Sequence, residues 1–592
     1  MQILPLLAPA EARFELPASK SAANRLLIAA ALSGARVEFE PAGLNADIEA
    51  VQRGLAAFGF RVEGGTGGIR VGPGPRAATA GARIDCGEAG TALRFLAALA
   101  ALLPGEWELH GSARLLQRPF EPLADALRAL GAEVRVVPGE GSAPSDRISS
   151  LWVRGRSPQA PAPRRVALEA QLSSQFLSAL LLIGAELGPA GLEIELRGPL
   201  ASGDYARLTA RILERFGVEA RAEGPLWSVR RRFRPAPEPM RIALPPDWGA
   251  FGVWACLQHA SGSRIEAPGL DPQDGQPDAA LLGLLARLES PGSLELDLAP
   301  CPDQFMNLAV LAAQRGAPTR LGGAANLRHK ESDRLERMRA ALSALGVEVE
   351  ARGDGLWIAG RPPRWRSAEL DCAQDHRLAM AFALHGLLAG GVRLAGSECV
   401  AKSYPLFFAH LEALRRSTRP VALIGQRGAG KSTLGRALAQ ATGARFADTD
   451  ALFAAAHGPI HGFVDAHGWE PFRDAEQRLL AEALAPGRVL ALGGGALERE
   501  ANRRRLAESA QVVWIDTPRE LLLARLSLPG ERRPAVLGGS LEQELDALEA
   551  RRRPLFAAAA ALRIDGAQPL EAQVEAVWTG LQALGRRGQG QR

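Results

Sequence analysis

One pattern recurs through the first 350 residues: an apolar-periodic helix, a glycine, then a short alternating strand. It reads LAAFGFRVE around Gly59, LRALGAEVRVV around Gly131, ILERFGVEARA around Gly217 and LSALGVEVEA around Gly346. Each glycine stands where a helix C-cap wants positive φ, and the residues after it alternate as a half-buried strand does. LLARLESPGSLELDL, 284–298, is a looser copy, and HLEALRR, 410–416, reads as the helix of a last one. Helix–strand units at long, unequal intervals predict pseudo-symmetric α/β modules rather than a short-period solenoid.

A second composition begins at residue 420. RPVALIGQRGAGKSTLGRALAQATG reads as a buried strand, a glycine loop and a helix, and RVLALGGGAL (488–497) and AQVVWIDTP (510–518) supply two more apolar strands. Strands alternating with helices predict a parallel sheet covered on both faces. The junction is RRSTRP, 415–420, too short for a long tether, so the two parts are expected to sit close together. Within the second part, Gly425 to Ser432 form a complete G-x-x-x-x-G-K-[ST] loop between that strand and helix. Its glycines admit phosphate oxygens to backbone N–H groups, Lys431 reaches the terminal phosphates, and the Ser432 hydroxyl suits Mg²⁺.

With 592 residues the chain has room for two to four domains with full cores. The start, MQILPLLAPAEARFELPASK, has no basic run before its apolar stretch, and FLAALAALLP is far too short to span a membrane. The five cysteines lie before residue 400 without metal-ligand spacing, which predicts reduced thiols and a cytoplasmic location. A net charge of +5 raises nucleic acid as a partner, but the basic runs are scattered and no nucleic-acid motif accompanies them. Small anionic ligands account for the same surplus. Only four of the 70 basic residues are lysines: Lys20, Lys330, Lys402 and Lys431.

Residues 420–592 resemble shikimate kinase. The resemblance rests on Asp448-Thr-Asp450, Phe472-Arg473-x-x-Glu476, the Gly493-Gly494-Gly495 turn, Arg533-Pro534 and Arg552-x-Pro-Leu-Phe556. It implies that Gly428, Ala429, Gly430, Lys431, Ser432 and Thr433 bind ATP, with Arg533 contributed by a closing lid. Ser432 and Asp448 would hold Mg²⁺, and Asp450, Arg473, Gly494, Gly495 and Arg552 would grip shikimate. A small polyol carboxylate calls for paired arginines at its acid group and a carboxylate at its hydroxyls. Taken alone, Asp448 reads equally as a helix cap, and Arg473 as a surface charge. Phe556 departs from the tyrosine frequent in the family.

Residues 1–415 resemble EPSP synthase from end to end. The matching motifs are ASKSAANR, GEAGTALRFL, LLQRPF, LSSQFLSALL, ASGDYA, CPDQF, NLRHKESDRL, QDHRLAM and AKSYP. The resemblance implies a two-lobed α/β fold of repeated βαβαββ units, with lobes near 15–232 and 1–14 plus 233–414. Lys20, Gly90, Arg118, Gln175, Arg334, Arg377 and Lys402 would hold phosphoenolpyruvate. Ser21, Arg25, Ser173, Ser174, Gln175, Ser202, Asp303, Asn326 and Lys330 would hold shikimate 3-phosphate. Asp303 is expected to act as base at the substrate's 5-hydroxyl and Glu331 to carry protons at C3, with Lys20 and His376 as lesser candidates. No cofactor is expected in this part.

Two substrates bring four anionic groups into one cleft, which explains the cationic lining. Ser173 and Ser174 also read as helix caps, and His259, His385 and His410 as structural side chains. Glu88, Gly203-Asp204 and the PPDWGAF turn depart from the family near the substrate. The expectation is therefore a bifunctional enzyme acting on small molecules, with a monomer favoured and no nucleic acid or membrane partner. A UDP-sugar enolpyruvyl transferase joined to another kinase is the alternative, although the loop at 111–120 lacks the cysteine often used there. A nucleotide-binding module on an inactive scaffold is the other.

Overall fold

The computed structural model describes the chain except residues 41–42, 66–67, 74–81, 139–147, 158, 160–162, 232–238, 363–364, 529–539 and 588–592. Three stretches carry the full βαβαββ order: 82–154, 165–231 and 294–358. In each, the first two strands are parallel, and the last two form a hairpin whose second strand pairs antiparallel with the second strand of the unit. The four glycines of the recurring pattern have φ of 86°, 92°, 71° and 93° in chain order. A residue with a Cβ is strained there, so the helix ends and the strand turns back at the same point.

A fourth unit is completed from a distance. Strand Met240–Ile242 pairs parallel with Val37–Phe39, and Ile242 and Leu244 sit in the first core. The expected lobe boundary after residue 232 therefore moves to near residue 245. Strand pairing decides this, because the returning segment closes the sheet of 37–72 before the chain leaves the lobe. The second core gathers Ile3, Leu6 and Phe14 with residues from Trp248 to Leu414.

Each lobe is built around three helices that are apolar nearly all round and buried on all sides. They are Lys20–Ser33, Gly90–Leu102 and Ser174–Gly184 in one lobe, and Trp248–Ser261, Phe305–Ala312 and His376–Ala389 in the other. Residues at or just before the N-termini of four of them, Lys20, Gly90, Ser173 and Asp303, line the cleft described below.

The third part is a five-stranded parallel sheet in the order 445–448, 488–491, 421–424, 511–516, 562–565. Helix Phe407–Arg416 ends four residues before its first strand, Val421–Ile424. The N-terminal segment ties this part to the second lobe. Leu6 belongs to the second-lobe core, whereas Leu7 and Ala8 are buried among Val421, Leu438, Val577 and Leu581. The Trp578 indole donates to the Leu6 carbonyl at 3.1 Å, and Ala10 bridges Thr418. Truncating a buried leucine costs about 3 kcal/mol. Leu7→Ala is therefore expected to destabilise the C-terminal domain by about that amount, although residue 7 lies more than 400 positions away in sequence. Denaturant-dependent hydrogen exchange at the amides of 421–424 measures it.

Candidate functional site

The first site lies between the two lobes. Its wall contains Lys20, Ser21, Arg25, Gly90, Arg118, Ser173, Ser174, Gln175, Ser202, Asp303, Asn326, Lys330, Glu331 and Arg334. Helix N-termini direct partial positive charge and unpaired N–H groups at this space, which suits anions. Ser19 and Ser173 cap two of the helices in one lobe, and Asp247 and Asp375 cap two in the other. Ser173 thus fills both of its readings, as a cap and as a cleft residue. Arg377 and Lys402 are not among the wall residues; Arg377 lies 3.8 Å from Asp303, which is.

Contacts cross the cleft from lobe to lobe. Asn326 Nδ2 donates to Ser202 Oγ at 3.2 Å, and Tyr205 donates to Asp278 at 2.7 Å. Arg114 donates to the carbonyls of Glu331 and Lys330, and Arg118 lies 3.6 Å from the Glu331 carboxylate. Lys402 donates to Glu88 at 2.9 Å, so this departure from the family puts a carboxylate on one of the expected anion-binding lysines.

At the centre, Asp303 accepts from Arg334 at 3.0 Å and lies 3.5 Å from Lys330 and 3.8 Å from Arg377. Arg334, almost fully buried, also donates to Glu331 at 2.9 Å and takes Asp375 on two nitrogens. Burial works to raise both catalytic candidates. For Asp303 it is outweighed by Lys330, Arg334, Arg377 and Lys20, which hold the carboxyl well below its usual range. Arg334 and Arg118, with a lesser contribution from Lys20, do the same for Glu331. Burial counts against the Lys20 ammonium, but Asp47 at 3.3 Å raises it above its ordinary value. Burial, then Lys20 and Arg377, hold His376 well below its ordinary value, so its imidazole is neutral.

Arg25 and Arg94 belong to the wall but are almost wholly buried. Arg25 donates to Thr209, Ser178 and the Ser21 carbonyl, and Arg94 to Gln175 and the carbonyls of Gly90 and Pro119. Burial pulls them to about 10 and about 9, still far above neutral pH.

The second site is a cavity of about 1110 Å³ in the C-terminal part. It gathers Gly428 to Thr433, Asp448, Asp450, Arg473, Gly494, Gly495 and Arg552. Lys431 folds back onto its own loop, donating to the carbonyls of Gly425 and Gln426 at 3.0 and 2.9 Å. The Ser432 hydroxyl donates to Asp448, which also caps helix Thr449–His457. A hydroxyl and a carboxylate meeting beside a phosphate loop are hard oxygen donors that fit Mg²⁺. Arg533 lies outside the described residues. Arg473 is buried and paired with Glu476, not a surface charge. Phe556 is buried and packs against Trp514.

Several residues of these sites carry no local signature in the sequence. Asp47, Asp278, Asp375 and Glu498 each balance a cleft group from a distant stretch of chain. Arg525, Gln568 and Gln573 also line the second cavity, with Arg525 donating to the Gly428 carbonyl at 3.1 Å.

Burial pushes Glu476 up to about 7; Arg473 works against that, and Asp450 adds to it. Below that value the folded chain keeps a proton that the unfolded chain loses near its ordinary 4.5. Stability of this domain is therefore expected to fall as pH rises from about 4.5 to about 7 and to lose no more from this group above it. Urea unfolding at pH 5, 6, 7 and 8 should show that slope, and Glu476→Gln should remove it.

Comparison with known proteins separates the same two parts. The family described as EPSP synthase (3-phosphoshikimate 1-carboxyvinyltransferase) matches residues 7–411, and that described as shikimate kinase matches 427–581. A 3-phosphoshikimate 1-carboxyvinyltransferase of Methanoculleus marisnigri is 35% identical over 68% of this chain and 96% of its own. The pentafunctional AROM polypeptide of Malassezia globosa is 28% identical over 91% of this chain and 38% of its own. The solved EPSP synthase of Acinetobacter baumannii shares the fold over 70% of this chain and 97% of its own, with a TM-score of 0.56 at 22% identity.

Proposed function

The chain belongs to the EPSP synthase family and carries a shikimate kinase domain behind it, and from that premise we propose two successive reactions. The kinase cavity transfers the γ-phosphoryl group of ATP to shikimate, giving shikimate 3-phosphate and ADP. The cleft between the lobes then transfers the enolpyruvyl group of phosphoenolpyruvate to that product, releasing phosphate. The observation that carries the reading is the placement of the Asp303 and Glu331 carboxylates on Arg334, with Lys330 and Arg377 within 3.8 Å of Asp303 and Arg118 3.6 Å from Glu331.

In the cleft, the cations and helix N-termini receive two phosphates and two carboxylates. Those anions offset the charges that depress Asp303, so its basicity rises when the substrates are bound. Asp303 takes the proton of the 5-hydroxyl as that oxygen attacks C2 of phosphoenolpyruvate. Glu331 handles the proton at C3, which is gained in the addition and lost in the elimination that expels phosphate. Both roles require hydrogen-bond reach in a dry site, which the cross-lobe contacts favour.

In the kinase cavity, Lys431 and the loop N–H groups cradle the phosphates, and Asp450 and the Arg473–Arg552 pair orient shikimate. Bound to Ser432 and Asp448, Mg²⁺ would neutralise charge between the phosphates. Arg525, which donates to the Gly428 carbonyl, lines the cavity together with Gln568 and Gln573 and would face the nucleotide.

The test supplies shikimate, Mg-ATP and phosphoenolpyruvate together. One ADP and one phosphate are expected per enolpyruvyl product. Absence of ADP formation with shikimate overturns the kinase half, and turnover of a UDP-sugar in place of shikimate 3-phosphate overturns the transferase half.

A further inference from the structure

Resting on the assignment of shikimate to the second cavity, we infer that Glu498 is the positioning residue that holds Arg473 and Arg552 as one receptor for the acceptor's carboxylate. The two arginines come from different helices, Trp469–Ala483 and Leu541–Ala559, and both are buried. Two guanidinium groups driven together out of water repel each other, so their pairing needs a counter-charge. Glu498, in the short turn Ala496–Glu498 after the triple glycine, supplies it.

Its carboxylate accepts from Arg552 Nε at 2.7 Å and lies 3.4 Å from Arg473 Nη2. The other side of the same carboxylate accepts from Arg551 at 2.6 Å. Glu498 is only 11% exposed in its side chain, and neither it nor Arg551 belongs to the cavity wall, whereas Arg473 and Arg552 do. It therefore sits behind the arginines and does not occupy the place a ligand would take.

The way the Arg552 fork is used separates positioning from competition. By engaging Arg552 through Nε, Glu498 leaves both Nη groups without a protein acceptor among the described residues, with Nη1 beside the glycine turn. A Cβ on Gly494 would lie 3.3 Å from Arg552 Nη1, and one on Gly495 would lie 2.0 Å from Arg473 Nη1. The turn and the two forks thus surround one small space whose charge suits a planar carboxylate. Arg473 is held from a second side by Glu476, at 3.3 Å. At Arg473 the two glutamates meet the Nη edge, Glu476 at Nη1 and Glu498 at Nη2, so the open edge of the receptor is the one Arg552 presents.

The prediction is read on the full chain. Glu498→Gln keeps the shape and removes the counter-charge, so KM for shikimate should rise at least about tenfold, the cost expected for loosening a charge-assisted carboxylate contact. KM for ATP, turnover at saturating shikimate and the transferase rate should change less than about twofold. With an analogue carrying a hydroxymethyl group in place of the carboxylate, variant and wild type should converge. Glu498→Asp, which retains the charge, should recover part of the affinity and covers the case in which the glutamine variant folds poorly. An unchanged or lowered KM in Glu498→Gln overturns the positioning role. Failure of the wild type to phosphorylate shikimate overturns instead the assignment beneath it.

Discussion

Asp303→Asn is expected to slow enolpyruvyl transfer about a thousandfold, within the range that a placed general base contributes, while shikimate 3-phosphate binds at least as tightly as before. The combination follows from what surrounds the carboxylate. Arg334, Lys330 and Arg377 converge on it within 3.0, 3.5 and 3.8 Å. Asparagine fills the same volume but cannot accept the 5-hydroxyl proton. It also leaves these three cations one negative charge short, so the cleft becomes more attractive to a phosphate or carboxylate. A residue that merely shaped the pocket would weaken binding and turnover together. Phosphate release gives the rate, and calorimetric titration with shikimate 3-phosphate gives the affinity. Equal losses in both, with the kinase rate intact, would remove Asp303 from the chemistry.

That split also shows why some of the site was legible in the sequence and some was not. The cationic side sits in contiguous motifs, such as ASKSAANR and NLRHKESDRL, because successive residues at a helix N-terminus face the same space. The balancing acids come from elsewhere. Asp278 stands in a turn-rich stretch that reads as an ordinary loop, yet it meets Tyr205 73 positions away. Asp375 adjoins the quoted His376 and Arg377, but its pairing with Arg334 spans 41 positions. Nothing in local periodicity encodes such a partner. The helix–glycine–strand pattern carried the modules for the opposite reason, since a C-cap and a half-buried strand are local matters. The lobe boundary near 245 was missed because strand 240–242 is assigned by its pairing with 37–39, not by its own composition.

Lys431→Ala is expected to reduce shikimate phosphorylation about a thousandfold, the scale on which a single cation placed at a transferring phosphoryl group acts. The same variant should convert supplied shikimate 3-phosphate and phosphoenolpyruvate at the wild-type rate. The ammonium lies on two carbonyls of its own loop at 2.9 and 3.0 Å. That arrangement uses a compact head with three donors, which keeps the charge beside the phosphate-binding N–H groups. An arginine fork is broader and planar, so Lys431→Arg should rescue little although the charge is retained. This is the strongest case for reading the chain's four lysines as chosen positions in a sequence that otherwise writes arginine. Starting from shikimate, the variant should form enolpyruvyl product only as slowly as its residual kinase rate allows; starting from shikimate 3-phosphate, it should form it at the full rate. Loss of both steps in a protein that remains folded would mean that the two cavities do not work as separate sites, despite lying in separate cores.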